Sequence, residues 1–123
     1  MIDTNAVIDY LGNKLPGAGM DFMNSVVDAV PNLSVITKIE VLDFNTPNEH
    51  YQLLIGFMND VRVIDLTESI VEKCIEICKN HKTKLPDALI AATALVHGLT
   101  ILTRNTKDFQ SIAGLGYVNP YEL

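Results

Sequence analysis

One stretch between residues 84 and 96 constrains this chain more than any other part of its sequence. It reads Lys-Leu-Pro-Asp-Ala-Leu-Ile-Ala-Ala-Thr-Ala-Leu-Val, and proline suits the first turn of a helix because its missing N–H leaves no hydrogen bond unmade there. Ala and Leu favour helix, and apolar side chains cover nearly every face of it. The stretch therefore predicts a helix over 86–97, closed by Gly98 and buried at the centre of the domain.

Asp87 is the only acidic side chain of this predicted helix. In the first turn of a helix, the unpaired N–H groups and the helix dipole both favour a negative charge. A carboxylate that heads an otherwise apolar, buried helix is nevertheless hard to solvate. We therefore interpret Asp87 as a candidate functional residue and expect polar groups from elsewhere in the chain to lie beside it.

Length and composition favour one globular domain over residues 1–123. A chain of this length can bury a substantial core, and 48% hydrophobic with 20% charged residues is an ordinary composition for a soluble protein. No apolar run reaches the roughly 18 residues that span a bilayer. Asp3 directly follows Met1 and Ile2, which argues against a signal segment. We expect a cytoplasmic location and no membrane partner.

The cysteines and the net charge argue against two other classes of protein. Cys74 and Cys78 lie four residues apart, which is neither a zinc-binding spacing nor a CxxC redox motif, so we interpret them as reduced and packed. The net charge is −6, whereas proteins that hold nucleic acid by charge alone are basic. Action on a polyanion would therefore require bound cations.

Short apolar strands alternate with helices along the chain. The patterns predict strands at 1–2, 33–36, 61–64, 100–103 and 117–118. They predict further helices at 5–12, 21–30, 38–44, 47–60, 67–80 and 105–112, with a loop over 12–19. Such alternation implies crossover connections and a parallel sheet covered on both faces. The predicted fold is α/β, a three-layer α/β/α sandwich with a short parallel sheet of four or five strands.

Carboxylates follow three of the predicted strands, at the ends where ligands bind in sheets of this type. Asp3 follows the first strand, Glu40 lies one helical turn after the second, and Asp108 follows the strand at 100–103. Carboxylates that converge would repel one another unless a cation shared the site. Oxygen ligands suit Mg²⁺ or Mn²⁺, which assist displacement at phosphorus. Together with Asp87, these residues predict a metal site.

Each carboxylate also has a purely structural interpretation. Asp3 can cap the helix that follows it. Thr37-x-x-Glu40 has the pattern of a capping box. Asp87 and Asp108 can complement the dipoles of their helices. For Glu40 and Asp108 taken alone, the structural interpretation is the stronger one, and only the joint occurrence favours a metal site.

Neutral and basic side chains lie near these acids in the sequence. Asn5, Thr37, Thr103 and Asn105 can supply hydrogen bonds. Asn105 can also ligate a metal weakly, orient a water or simply cap a helix. Basic residues before Asp87 and around Asn105 are candidates for phosphate contacts, namely Lys82, Lys84, Arg104 and Lys107. An ordinary solvated surface explains these basic residues equally well.

Four motifs together resemble the PIN domain, and most of all the VapC-type toxins of bacterial and archaeal toxin–antitoxin pairs. They are Asp3-Thr4-Asn5, Thr37-x-x-Glu40, the segment 85–94 and the segment 102–109. The resemblance covers essentially the whole chain, and the third motif is its most specific part. Members usually carry several apolar residues before the first Asp, whereas only Met1 and Ile2 stand there in this sequence.

The resemblance implies a function, because PIN domains are metal-dependent ribonucleases. We expect Mg²⁺- or Mn²⁺-dependent cleavage of RNA, a homodimer, and a cognate antitoxin that inserts a segment near the acidic site. The resemblance assigns Asp3, Glu40 and Asp87 to three acidic positions of the family. Asn105 and Asp108 remain alternatives for the fourth, and the number of metals, one or two, stays open with them.

Two other functions are compatible with the same residues. A PIN-like module that binds RNA or a protein partner, with weak or no catalysis, is favoured by Asn105 and by the net charge of −6. A phosphatase-like or receiver-like acidic pocket ranks last, because such pockets pair an Asp with a Lys at a strand end and no such Lys follows the predicted strands.

Overall fold

Six α-helices alternate with four very short strands in the computed structural model, which describes residues 1–123. The helices are α1 (Thr4–Leu11), α2 (Gly17–Asp28), α3 (Val35–Leu42), α4 (Asn48–Asp60), α5 (Glu68–Asn80) and α6 (Leu85–His97). The strands are β1 (Asn32–Ser34), β2 (Arg62–Ile64), β3 (Ile101–Leu102) and β4 (Tyr117–Val118), and a 3₁₀ turn covers Thr106–Asp108. None of the helices has the length and apolar character that a membrane span requires.

The N-terminal residues connect two parallel pairs of strands. β1 pairs with β2, and β3 pairs with β4. Between the pairs, Ile2 forms a parallel bridge with Leu102, and its N–H donates to the carbonyl oxygen of Asn32 over 3.3 Å. The predicted α/β class with short parallel strands is confirmed, although regular pairing is limited to the two pairs and a single bridge at Ile2.

The core consists of two apolar clusters, and the buried apolar side chains of helix α6 belong to the first of them. This helix packs against α5 and the segment after β3, where the buried side chains include Ile70, Ile77, Ile90, Ile101 and Phe109. The second cluster lies around α1, α2 and α4 and includes Ile2, Val7, Met23, Leu33 and Leu54. The middle of α6 is buried as predicted, whereas Leu85 and Val96 at its ends are exposed.

Helix α2 begins earlier than predicted, so residues 17–19 belong to a helix rather than to a loop. The glycines there suggested a loop, but Gly19 has a packing role. A Cβ at Gly19 would lie 2.0 Å from the carbonyl oxygen of Pro120. The absent side chain therefore allows the backbone of α2 to approach the C-terminal segment directly.

Helix α3 also begins earlier than predicted, and β1 ends at Ser34 instead of Ile36. The Ser34 hydroxyl accepts a hydrogen bond from the N–H of Ile36 at 3.1 Å, which caps the helix and ends the strand. Near the other end of the chain, the predicted helix over 105–112 is reduced to one 3₁₀ turn. There the N–H of Asp108 donates to the carbonyl oxygen of Asn105, three residues back.

Candidate active site

Asp3 is the most firmly held carboxylate of the predicted site. It is the N-cap of α1 and is buried, with 6% of its surface exposed. Its Oδ1 accepts a hydrogen bond from the N–H of Thr4, and its Oδ2 accepts one from the Thr103 hydroxyl, both at 2.8 Å. The capping interpretation of Asp3 is therefore correct, and the same contacts orient its carboxylate beside the end of β3.

Glu40 is held by Thr4, which was not among the predicted site residues. The Thr4 hydroxyl donates to Glu40 Oε1 at 2.6 Å. Because the N–H of Thr4 also donates to Asp3, this one residue bridges two of the acids. Its position directly after Asp3, in the Asp-Thr-Asn triplet, was the signal that could have identified it.

The interpretation of Thr37-x-x-Glu40 as a capping box is wrong. Ser34 caps α3, so Thr37 lies inside the helix and Glu40 lies in its second turn. Residues three apart share a face of a helix, which places Thr37 one turn before Glu40 on the same side. The Thr37 hydroxyl is fully buried and has no hydrogen-bond partner. The Thr37 hydroxyl is therefore an unpaired buried polar group one helical turn from Glu40.

Neighbouring carboxylates affect the pKa values of Asp87 and Asp3. Burial, followed by the charges of Asp3, Asp108 and Glu40, raises the pKa of Asp87 from 3.8 to about 6, against a smaller opposing effect of Lys84. Burial also raises the pKa of Asp3, and the charges of Glu40 and Asp108 add to that increase. These effects mean that Glu40 and Asp108 lie within electrostatic range of both Asp3 and Asp87.

Asp108 and Asn105, the alternatives for the fourth position, are placed differently. Asp108 is exposed and borders the same cavity as Asp87. Asn105 is linked to the site through its backbone, because its N–H donates to the Thr103 hydroxyl at 3.0 Å. Its side chain makes no capping hydrogen bond to the 3₁₀ turn. Asn5, predicted to support the site, also makes its contact through the backbone, where its carbonyl oxygen lies 3.3 Å from the Tyr121 hydroxyl.

A polar cavity of about 220 Å³ opens next to Asp87 and Asp108. No hydrophobic residue borders it, and its other lining residues are Lys82, Thr83, Lys84, Lys107 and Ser111. Three of the four basic residues predicted to contact phosphate therefore lie beside two of the acids. The fourth, Arg104, lies elsewhere and forms an ion pair with Asp9, with 3.6 Å between Nη1 and Oδ2.

The donor set of this site fits a hard divalent cation. Carboxylate oxygens are the preferred ligands of Mg²⁺ and Mn²⁺. The pKa of Asp87 is raised first by burial and then by the charges of Asp3, Asp108 and Glu40, which Lys84 offsets only in part. In the present side-chain arrangement, no three acidic, histidine or cysteine side chains are close enough to hold an ion together. Asp87 and Asp108 have no hydrogen-bonded or ion-paired partner, so their carboxylates are free to turn towards a cation.

Residues 1–115 match the family model of the PIN domain. This chain belongs to the PIN domain family. Ribonuclease VapC1 from Rickettsia felis is 62% identical to it over 29 residues, a match that covers 24% of this chain and only 22% of that protein. Plasmid stability protein StbB from Pseudomonas syringae pv. tomato is 27% identical over an alignment of 139 positions, gaps included, that covers 99% of this chain and 98% of the relative.

Solved structures have the same fold over nearly the whole chain. A toxin–antitoxin complex from Klebsiella pneumoniae matches with a TM-score of 0.76 and 33% identity, covering 99% of this chain and 98% of that one. DNA-bound VapBC from Salmonella typhimurium matches with a TM-score of 0.81 and 24% identity, covering 98% of this chain and 96% of that one. The resemblance to PIN domains of the VapC type is confirmed.

Proposed function

We propose that this protein is a Mg²⁺- or Mn²⁺-dependent endoribonuclease and the toxin of a toxin–antitoxin pair. The observation that carries the proposal is that Asp3, Glu40 and Asp108 lie near enough to Asp87 for their charges to add to the burial that raises its pKa. Membership in the PIN domain family supports it. So do the similarity to a ribonuclease, VapC1, and the 33% identity to a chain of a toxin–antitoxin complex.

In this proposal the four carboxylates hold the cation. When bound, such an ion neutralises charge on the phosphate and lowers the pKa of a water. Asp3 and Glu40 are preorganised, because Thr4 and Thr103 hold their oxygens by hydrogen bonds of 2.6–2.8 Å. Asp87 and Asp108, which lack such partners, would adjust to the ion and the substrate. Asn105 remains the alternative to Asp108.

Hydrolysis joins the oxygen of a water to the phosphorus of an RNA phosphodiester and breaks the bond to the leaving oxygen of the next nucleotide. The leaving oxygen takes up a proton. The lysines of the polar cavity, Lys82, Lys84 and Lys107, would bind backbone phosphate there and offset the net charge of −6. Single-stranded RNA is the expected substrate, because its unstacked bases can be splayed apart on a protein surface.

A homodimer and an inhibitory antitoxin belong to the same proposal. Several solved relatives are described as toxin–antitoxin or VapBC complexes, which supports an antitoxin partner. The cytoplasmic location and the single-domain organisation over residues 1–123 stay predictions from the sequence. One observation favours a second function, an RNA- or protein-binding module with weak catalysis: no three acids are close enough to hold an ion in the present arrangement.

Cleavage of a mixed RNA pool by the purified protein tests the proposal. With Mn²⁺ we expect cleavage by the wild type, which EDTA abolishes and which Asp87→Asn lacks. Asp21→Asn is the matched control, because Asp21 is exposed on α2 and outside the acidic cluster, and it should cleave like the wild type. Cleavage that survives EDTA or the Asp87→Asn substitution would refute the proposal. RNA binding without any cleavage would favour the second function.

A further inference from the structure

Arg104 is held by two residues that take no part in the proposed chemistry. Its Nη1 lies 3.6 Å from Asp9 Oδ2, and its guanidinium carbon lies 5.4 Å from the centre of the Tyr121 ring. The Tyr121 hydroxyl donates a hydrogen bond to the same Asp9 oxygen, and contacts the carbonyl oxygen of Asn5 over 3.3 Å. We call this group of three residues the arginine clasp: Asp9, Arg104 and Tyr121.

The arginine clasp lies beside the acidic site, on the side of Asp3. Arg104 directly follows Thr103, whose hydroxyl donates to Asp3. Burial and the contact with Asp9 raise the pKa of Tyr121, and the charge of Asp3 adds to that increase. The lysine-lined cavity, by contrast, borders Asp87 and Asp108. Basic groups therefore lie near Asp3 as well as near Asp87 and Asp108.

The guanidinium of Arg104 is both oriented and accessible. Its side chain is 51% exposed, whereas that of Asp9 is 18% exposed. An arginine presents five N–H donors in a planar fork that matches the oxygens of a phosphate. Asp9 approaches one nitrogen and Tyr121 covers one face, so donors remain available to a ligand. Because the side chain is already oriented, it loses less conformational freedom when it binds.

We propose that Arg104 binds a backbone phosphate of the RNA on the Asp3 side of the acidic site, and that Asp9 and Tyr121 are positioning residues that hold its guanidinium for this contact. The inference rests on the proposed function. The lysine-lined cavity then binds a phosphate on the opposite side of the scissile bond, and the RNA strand crosses the acids between these two basic subsites.

The test uses a single-stranded oligoribonucleotide with one mapped cleavage position, and versions in which one flanking phosphate is an uncharged methylphosphonate. We expect Arg104→Met to raise KM about tenfold with kcat within about twofold, and to reduce the salt dependence of binding by about one phosphate contact. The increase in KM should disappear when the methylphosphonate replaces the phosphate that Arg104 binds. Lys107→Met is the matched control, and its increase in KM should disappear only with the methylphosphonate on the other side.

Two further variants test the positioning residues. Tyr121→Phe keeps the ring under the guanidinium and removes the hydroxyl that holds Asp9, so KM should rise about threefold with kcat unchanged. Arg104→Lys keeps the charge without the planar fork and should recover part of the loss in Arg104→Met. Thermal melting of each variant establishes that it is folded. If Arg104→Met does not fold, Arg104→Lys replaces it in the KM measurements.

The possible failures are distinguishable. If the wild type cleaves and the Arg104 variants keep its KM and salt dependence, the inference is wrong while the proposed function stands. It is equally wrong if the methylphosphonate on either side affects Arg104→Met and Lys107→Met alike. If the wild type does not cleave, the proposed function fails. In that case the Kd of the intact oligonucleotide is measured in EDTA for the wild type and for Arg104→Met. Equal Kd values overturn the inference about Arg104, and a higher Kd for Arg104→Met supports it.

Discussion

Replacing Asp87 by Asn should stabilise the metal-free protein, even though it removes a carboxylate that the proposed reaction needs. In the folded protein, burial and three neighbouring carboxylates raise the pKa of Asp87 from 3.8 to about 6. A difference of that size corresponds to about 3 kcal/mol of unfavourable free energy for the charged form. Because Asp87 is only half-buried, solvent screening reduces this, and we expect a gain of about 1–2 kcal/mol in the free energy of unfolding.

The pH dependence of this gain follows from the direction of the shift. Between pH 3.8 and about 6, the folded state binds more protons at Asp87 than the unfolded state does. The stability of the wild type therefore falls as the pH rises through this window, and the loss is complete above it. The advantage of Asp87→Asn should be full at pH 7.5 and mostly lost at pH 4.5, where the folded wild type has taken up the proton.

Thermal melting in EDTA measures the effect. For a chain of 123 residues, a gain of 1–2 kcal/mol raises Tm by about 4–8 °C at pH 7.5. The control variant Asp21→Asn, at an exposed position, should stay within about 0.5 kcal/mol of the wild type. A lower Tm for Asp87→Asn at pH 7.5, or a gain of equal size at pH 4.5, would refute the reasoning. Added Mn²⁺ should remove the difference, since it would stabilise the wild type by binding.

Two further substitutions test the packing of buried positions, Gly19 and Thr37. Gly19→Ala should lower the free energy of unfolding by about 1–3 kcal/mol in urea, because its Cβ would lie 2.0 Å from the carbonyl oxygen of Pro120. The control Gly56→Ala, with nothing within 4 Å of its added Cβ in α4, should instead stabilise by about 0.5–1 kcal/mol. Thr37→Val should stabilise by about 1 kcal/mol in the same assay, since it removes a buried hydroxyl that has no hydrogen-bond partner. Loss of stability would mean that this hydroxyl is paired in solution.

The sequence by itself determined the features that depend on neighbours along the chain. The helix predicted over 67–80 is α5, which begins at Glu68 with Thr67 as its cap, and α6 is followed by Gly98 with a left-handed φ of 64°. Capping and helical periodicity act within a few residues, so they can be read from a single stretch. The sequence also predicted that the acids following the strands lie near one another, because side chains at the carboxyl ends of parallel strands share one edge of the sheet.

Tertiary structure decided which of several local possibilities was realised. Both Ser34 and Thr37 can cap a helix, and the pairing of β1 with β2 ends at Ser34, which leaves Thr37 inside α3 and unpaired. Thr4 bridges Asp3 to Glu40, which is 36 residues away from it in the sequence. Tyr121 contacts Asp9 over a separation of 112 residues. Such partners are chosen by the packing of the whole chain, and no pattern within one segment specifies them.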